Sequence, residues 1–229
     1  MVHNESRICI VLARSGSKRV NKKNLQLVNN KTLVEHALIC CTNNGIKTIL
    51  SSDSEEILDV AQSDLVICHK RSAITSNDSA SSESAIVEIL NEFKIPLDTE
   101  IILIPPTNPL RTSKDLHYFL DQWELLGEPN GFNQAISVLS MQNDFWYEKN
   151  EKLNRVRDEI FENKEPRISS ERNKIYLETS AVYLSSAEIL YSGRSLVDGN
   201  IFPIELSRFA AFDIDEDEDL EIVQKLMEK

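Results

Sequence analysis

The stretch RICIVL, Arg7–Leu12, running into Ala13-Arg14-Ser15-Gly16-Ser17-Lys18-Arg19-Val20-Asn21-Lys22-Lys23-Asn24, decides the fold. Its first part is apolar and β-branched with no polar alternation, the pattern of a strand buried on both faces. Its second part is a polar loop of small residues and cations. Working outward, helical spacing marks residues 31–44 (Leu33, Val34, Ala37, Leu38, Cys41), and Gly45 follows as a stop signal. Strand-like runs lie at 46–51, 65–68, 100–104 and 135–141, separated by helical patterns at 55–62, 80–93 and 112–126. Asp53 or Ser54 is the cap expected for 55–62, and Thr112 or Ser113 the cap for 112–126. Periodicity lapses between about 144 and 174. It returns as a strand at 176–184, a short helix at 186–191, a strand at 209–213 and a closing helix at 217–228. Repeated strand–helix–strand units with continuous apolar strands predict a single α/β domain over 1–229. Its core is a doubly wound, mainly parallel sheet with helices on both faces, and 144–174 reads as an insertion. Ligands of such sheets bind at the carboxyl ends of the strands, so the loops after Leu12, Cys68 and Ile104 are expected to converge on one site.

Of 229 residues, 41% are hydrophobic and 27% charged, the balance of an ordinary globular protein rather than a disordered or collagen-like one. No stretch approaches the roughly 20 apolar residues of a membrane span. The start, Met-Val-His-Asn-Glu-Ser, has no basic segment before an apolar one, so neither a signal peptide nor a membrane partner is expected. A net charge of −12, from 25 basic and 37 acidic residues, disfavours a nucleic-acid partner, whose phosphates must be neutralised. Five of those cations (Arg14, Lys18, Arg19, Lys22, Lys23) nonetheless fall within ten positions, which suggests a confined site for a small anion. Cys9, Cys40, Cys41 and Cys68 form no C-x-x-C pair and read as buried free thiols of a cytoplasmic protein. The four histidines lack zinc-site spacing, and His69 and His117 read as surface or interface residues.

Small residues after a buried strand let backbone N–H groups approach phosphate oxygens, and cations neutralise the charge. The loop is not a Walker A sequence and not G-x-G-x-x-G. On composition alone it also fits a solvated basic loop. Its order of residues, however, resembles the N-terminal signature of the acylneuraminate cytidylyltransferases, roughly P/L-A-R-x-G/N-S-K-x-x-x-x-K-N, through Ala13, Arg14, Ser17, Lys18, Lys23 and Asn24. Later segments resemble the same family in order. They are Ser51-Ser52-Asp53-Ser54-Glu55-Glu56-Ile57, Asp78-Ser79-Ala80-Ser81, Pro106-Thr107-Asn108-Pro109-Leu110-Arg111, Ala181-Val182-Tyr183 and Asp213-Ile214-Asp215.

The resemblance implies a Rossmann-like fold of the nucleotide-diphospho-sugar transferase kind, with 144–174 as a dimerisation arm. It also implies a reaction: the anomeric hydroxyl of a sialic-acid-like (nonulosonic) acid attacks the α-phosphate of CTP, giving CMP-sugar and pyrophosphate, with Mg²⁺ as cofactor. By position, Arg14 and Lys23 are the catalytic cations. Leu12, Ala13, Arg14, Ser17, Lys18, Lys23, Asn24, Arg71, Ser79 and Ser81 would form the nucleotide site. Thr107, Asn108, Arg111, Arg167, Thr179 and Tyr183 are the sugar-side candidates. Arg111 could equally pair with helix carboxylates. Asp213 and Asp215 sit two apart in a strand-like run and so share a face, where two carboxylates can hold a hard cation. Their alternative role is to open an acidic helix N-terminus. A homodimer is implied, to which Trp146, Tyr147 and Phe161 would contribute.

The chain departs from the family pattern at Pro105, where Gln is usual, at Asn108, where Ser is usual, and at Thr179-Ser180 in place of Asn-Gly. These departures cluster on the sugar side and point to an acceptor other than N-acetylneuraminate. Two other readings of the site remain at this stage: a guanylyltransferase using GTP, and a non-catalytic nucleotide- or sugar-binding protein of the same fold.

Overall fold

The computed structural model describes residues 6–17, 19–162, 166–168 and 171–228. The chain opens with β1 (Arg7–Leu12) and a one-turn 3₁₀ helix at Lys23–Leu25, then a small hairpin of β2 (Leu27–Val28) and β3 (Lys31–Thr32). Next come α1 (Leu33–Thr42), β4 (Thr48–Ser52), α2 (Glu55–Leu58), β5 (Val66–Lys70), α3 (Ala73–Ser76) and α4 (Ser82–Glu92). They are followed by β6 (Glu100–Leu103), α5 (Ser113–Gln122) and β7 (Gln134–Met141). A second hairpin, β8 (Trp146–Lys149) and β9 (Lys152–Arg155), leads to α6 (Val156–Ile160). The chain closes with β10 (Ile175–Ser186), α7 (Ala187–Tyr191), β11 (Ile201–Glu205) and α8 (Asp217–Met227).

Seven strands form one sheet in the order β11-β7-β10-β6-β1-β4-β5. The pairs β1–β4, β1–β6, β4–β5 and β7–β11 are parallel, and β10 runs antiparallel to both neighbours. This is the doubly wound, mainly parallel sheet that the strand pattern predicts. The apolar strands explain it, because side chains alternate between two covered faces. Cys9, Val11, Leu50, Ile102 and Ile104 pack on one face with α1 and α5. Ile10, Ile49, Ile101 and Leu103 pack on the other with α4 and α7. Burying each such aliphatic side chain stabilises the fold by about 1.5–3 kcal/mol. Capping boxes start the two helices of the first face, Thr32 with Glu35 and Thr112 with Asp115.

Several boundaries differ from the sequence pattern. The helix expected over 55–62 ends at Leu58. Ser54 is its N-cap position but makes no side-chain cap bond, and Asp53, the other expected cap, is committed to Ser15. The helix over 112–126 passes at Trp123 into a π-turn, Trp123–Gly127. The strand expected at 209–213 is absent. Residues there turn instead, with Ala211 N–H donating to Ser207 O and Phe212 N–H to Phe209 O. The sheet edge is taken by β11, whose Pro203 suits an edge position. The irregular 144–174 region contains the β8–β9 hairpin and α6. Asp144 ties it down, receiving Arg155 Nε at 2.6 Å and Arg172 Nη2 at 3.2 Å, and Arg157 donates to three backbone carbonyls at 2.8–2.9 Å. Two side chains are placed opposite to expectation: His69 is buried and Cys68 is exposed. All four cysteines are free. Among the described residues no helix is long and apolar enough to cross a membrane.

Candidate active site

From β1 the chain winds to β4 and β5 on one side, then returns to place β6 on the other. The crevice between the carboxyl ends of β1 and β6 is therefore the topological switch point, where open α/β sheets bind ligands. A cavity of about 600 Å³ opens there. Its lining includes Leu12, Arg14, Ser17, Arg19, Lys23 and Asn24 from β1 and its loop, Arg71 beyond β5, Asp78 and Ser81 before α4, and Pro105 and Thr107 after β6.

The loop after β1 is fixed by hydrogen bonds within it and to Asp53 after β4. Asp53 accepts from Ser15 N at 2.7 Å and from Ser15 Oγ at 2.6 Å. Burial works to raise the Asp53 carboxyl, but these bonds hold it below the ordinary carboxylate value. Asn24 Nδ2 donates to Arg14 O at 2.9 Å, so its amide shapes the loop as well as lining the cavity. Lys22, at φ 45°, takes the left-handed turn that sends Lys23 back toward the cavity. Lys23 Nζ donates to Ile214 O at 2.7 Å and lies 3.7 Å from Asp215 Oδ1. Arg19 reaches Asp215 at 2.6 Å, and Arg14 pairs with Asp78 at 2.7 Å. Arg71 Nη2 donates to Ser51 O at 2.9 Å. Burial pulls its guanidinium below its ordinary value, with Asp53 and Glu88 opposing the fall.

Asp213 and Asp215 flank Ile214 in a segment outside any strand, held in place by the loop after β6. Ile214 N–H donates to Thr107 O at 2.9 Å, and Asn108 Nδ2 donates to Phe212 O at 3.2 Å. Asp213 Oδ1 is buried with no hydrogen-bond partner. Burial pushes the Asp213 carboxyl above the usual carboxylate range; the Asp215 charge adds to the rise and the Thr107 hydroxyl opposes it. An orphaned carboxylate oxygen beside a second carboxylate fits a hard divalent cation. Among the described residues no group of three or more His, Cys, Asp or Glu converges as a metal site. Phosphate and water oxygens would therefore have to complete the shell.

The remaining residues singled out by sequence divide. Leu12, Arg14, Ser17, Lys23, Asn24, Arg71, Ser81 and Thr107 come together around the cavity. Ser81 also caps α4, accepting from Ser84 N at 3.1 Å. Ala13 is buried in the core beneath the loop, and Ser79 is exposed and bonded to Asn77. Lys18 lies outside the described residues. Among the sugar-side candidates, Asn108, Arg111 and Thr179 are interior. Asn108 bridges Thr179 O and Phe212 O. Arg111 Nη1 donates to Ala181 O at 2.6 Å and Pro105 O at 3.1 Å, so it meets neither helix carboxylates nor the cavity. Thr179 Oγ1 donates to Ser137 O at 3.1 Å and lies 2.9 Å from Ser137 Oγ. Tyr183 donates to Glu178, and burial pushes its hydroxyl up. Arg167 is 73% exposed, 3.8 Å from Asp144 and away from the cavity. Sequence reasoning assigned no role to Thr75 or Asp78, which also line the cavity. Asp78 stood within a quoted motif, whereas Thr75 lies on a one-turn helix too short to show periodicity.

A cation-lined crevice at the switch point of a doubly wound sheet, with an acidic pair beside its Lys23, suits a phosphate-bearing ligand. The chain belongs to the cytidylyltransferase family, whose model matches residues 8–229. It is 25% identical over 228 residues to a CMP-N,N'-diacetyllegionaminic acid synthase of Legionella pneumophila, covering 96% of both chains. It is 26% identical over 230 residues to a pseudaminic acid cytidylyltransferase of Campylobacter jejuni, covering 96% of this chain and 95% of the relative. Its fold matches a CMP:2-keto-3-deoxy-manno-octonic acid synthetase complexed with CTP, with a TM-score of 0.66 at 15% identity over 97% of this chain and 98% of the other.

Proposed function

We propose that the protein is an Mg²⁺-dependent cytidylyltransferase that transfers CMP from CTP to the anomeric hydroxyl of a nonulosonic acid and releases pyrophosphate. The observation that carries this reading is the placement of Lys23. Its ammonium lies between the loop after β1 and the Ile214–Asp215 backbone, with Arg14 and Arg19 lining the same cavity. The triphosphate is held by Arg14 and Lys23, which meet the charge that grows on departing pyrophosphate. Arg71 and Ser81, with Asn24 supporting the loop, line the base and ribose side. Asp213 and Asp215 would hold the cation, which when bound neutralises phosphate charge and orients the groups for in-line attack.

The relatives named for legionaminic and pseudaminic acids support a nonulosonic acceptor. Asn108 and Thr179 are spent on backbone carbonyls and on Ser137, so retuning of the acceptor site falls on Pro105, which lines the cavity. The 144–174 region is read as the arm of a homodimer, supported by exposed Trp146, Leu153 and Ile160.

The test is pyrophosphate release with Mg²⁺, using CTP or GTP against N-acetylneuraminate, legionaminate, pseudaminate and 3-deoxy-manno-octulosonate. Release with CTP and one nonulosonic acid supports the reading. Release only with GTP, or CTP binding without release from any pair, overturns it.

A further inference from the structure

His69 sits on β5 behind the cavity wall, with 1% of its surface exposed. Its Nδ1 is 2.9 Å from Ser51 Oγ, and the same oxygen is 3.1 Å from Arg71 Nε. A serine hydroxyl has one proton and two lone pairs, while Arg Nε only donates, so Ser51 Oγ accepts from Arg71. The other side of the imidazole decides what passes between Ser51 and His69. Its buried Nε2 makes no hydrogen bond and faces carboxylates, with Glu92 Oε2 at 3.3 Å and Glu88 Oε1 at 3.9 Å. A lone pair there would face two anions, whereas an N–H is attracted to both. Glu88 is itself fixed, accepting from Ser72 N at 2.9 Å, from Ser72 Oγ at 3.1 Å and from the Thr75 hydroxyl. The Phe93 ring closes the pocket edge-on, with ring centroids 6.0 Å apart.

We infer that His69 is a positioning residue for Arg71. As the neutral Nε2–H tautomer it accepts a hydrogen bond from the Ser51 hydroxyl at Nδ1, which turns a Ser51 lone pair onto Arg71 Nε–H and fixes the guanidinium plane toward the nucleotide. The chain of donors runs one way, from Arg71 through Ser51 to His69, with His69 Nε2–H facing the two carboxylates. The role of Arg71 in holding nucleotide rests on the function proposed above.

The test compares His69→Leu, which removes both ring nitrogens, with His69→Asn, which keeps an acceptor near the Nδ1 position. Losing one net hydrogen bond raises the KM for CTP about tenfold in His69→Leu with kcat nearly unchanged, whereas His69→Asn stays within about threefold of wild type. Ser51→Ala gives the same rise as His69→Leu, and the double variant gives no more than either alone. Nitrogen-15 NMR of the wild-type ring shows a bare Nδ1 and a protonated Nε2. Additive effects, equal behaviour of the Asn and Leu variants, or a doubly protonated or Nδ1–H ring overturns the inference. If His69→Leu does not fold, Ser51→Ala and the NMR signature decide. If wild-type protein releases no pyrophosphate, the functional reading fails separately, and the same comparison is read from CTP affinity by calorimetry.

Discussion

Replacing Lys23 by methionine keeps most of the side-chain stem and removes one charge. The side chain is only 15% exposed, so its charge acts in a partly desolvated setting. At about 4 Å from a phosphate oxygen and an effective dielectric near 20, one such charge interacts by about 4 kcal/mol. Arg14 and Arg19 line the same cavity and take up part of that loss. A single donor of this kind to a developing oxyanion is worth about 10²–10³ in rate. Lys23→Met is therefore expected to lower kcat/KM by about 10²–10³, within the 4 kcal/mol ceiling. The fold loses the charge-assisted bond to Ile214 O, which costs about 1.5–3 kcal/mol before packing of the methionine offsets part of it. At about 2–4 °C per kcal/mol for a chain of this size, the melting temperature falls by only a few degrees. The assay is pyrophosphate release with the best CTP–acid pair, alongside a thermal melt. A folded Lys23→Met enzyme within about threefold of wild-type kcat/KM would refute the triphosphate role, since that is far short of the 10²-fold minimum for one donor.

Asp213→Asn removes a carboxyl whose value burial raises, so in the folded state its charge is unfavourable. Its stabilising contribution exists only while protonated and is lost as pH rises through the raised value. At neutral pH the variant is expected to melt higher than wild type yet lose Mg²⁺-dependent turnover; a lower melting temperature would refute the orphaned-carboxylate account. Arg111→Met strips donors from Ala181 O and Pro105 O and is expected to cost about 3 kcal/mol, read by urea unfolding, with acceptor preference unchanged. A changed acceptor preference in a stable Arg111→Met protein would return that residue to the sugar site. For the β8–β9 hairpin, the hydrogen bond from Arg155, helped by the charges of Arg155, Arg172 and Arg167, holds Asp144 below the usual carboxylate range. Its contribution is full above the unfolded carboxylate value near pH 4 and is lost below it. Hydrogen exchange in 146–155 should accelerate only under those acid conditions, and acceleration already at pH 6 would contradict the Asp144 anchor.

The central strands were legible because burial on both faces leaves no polar alternation, and the apolar runs of β1 and β6 carry that pattern most plainly. β11 was not, because Pro203 interrupts its apolar run, while Phe209 and its neighbours mimic a strand and in fact turn. The cation loop and Asp213–Asp215 could be found because their residue types are unusual together. The interior roles of Asn108, Arg111 and Thr179 could not. Each is bound to the backbone of a distant segment, and backbone acceptors leave no mark in a sequence. His69 was misplaced for a similar reason, since its partners Ser51, on β4, and Glu88 and Glu92, on α4, are distant from it in sequence.

The pairing of Arg14 with Asp78 has a consequence for which anions the protein admits. At rest Arg14, like Arg19 beside Asp215, is already paired from within the chain, here by a partly exposed pair worth about 1 kcal/mol or less. Every entering anion must displace the same internal competitor. For an ion that meets Arg14 alone, the displacement is a larger share of the attraction. For a ligand long enough to reach Arg14 and Lys23 together, it is a small fraction of the whole. The Arg14–Asp78 pair thus sets a small, constant competition that a multiply charged ligand outweighs more readily than a singly charged one.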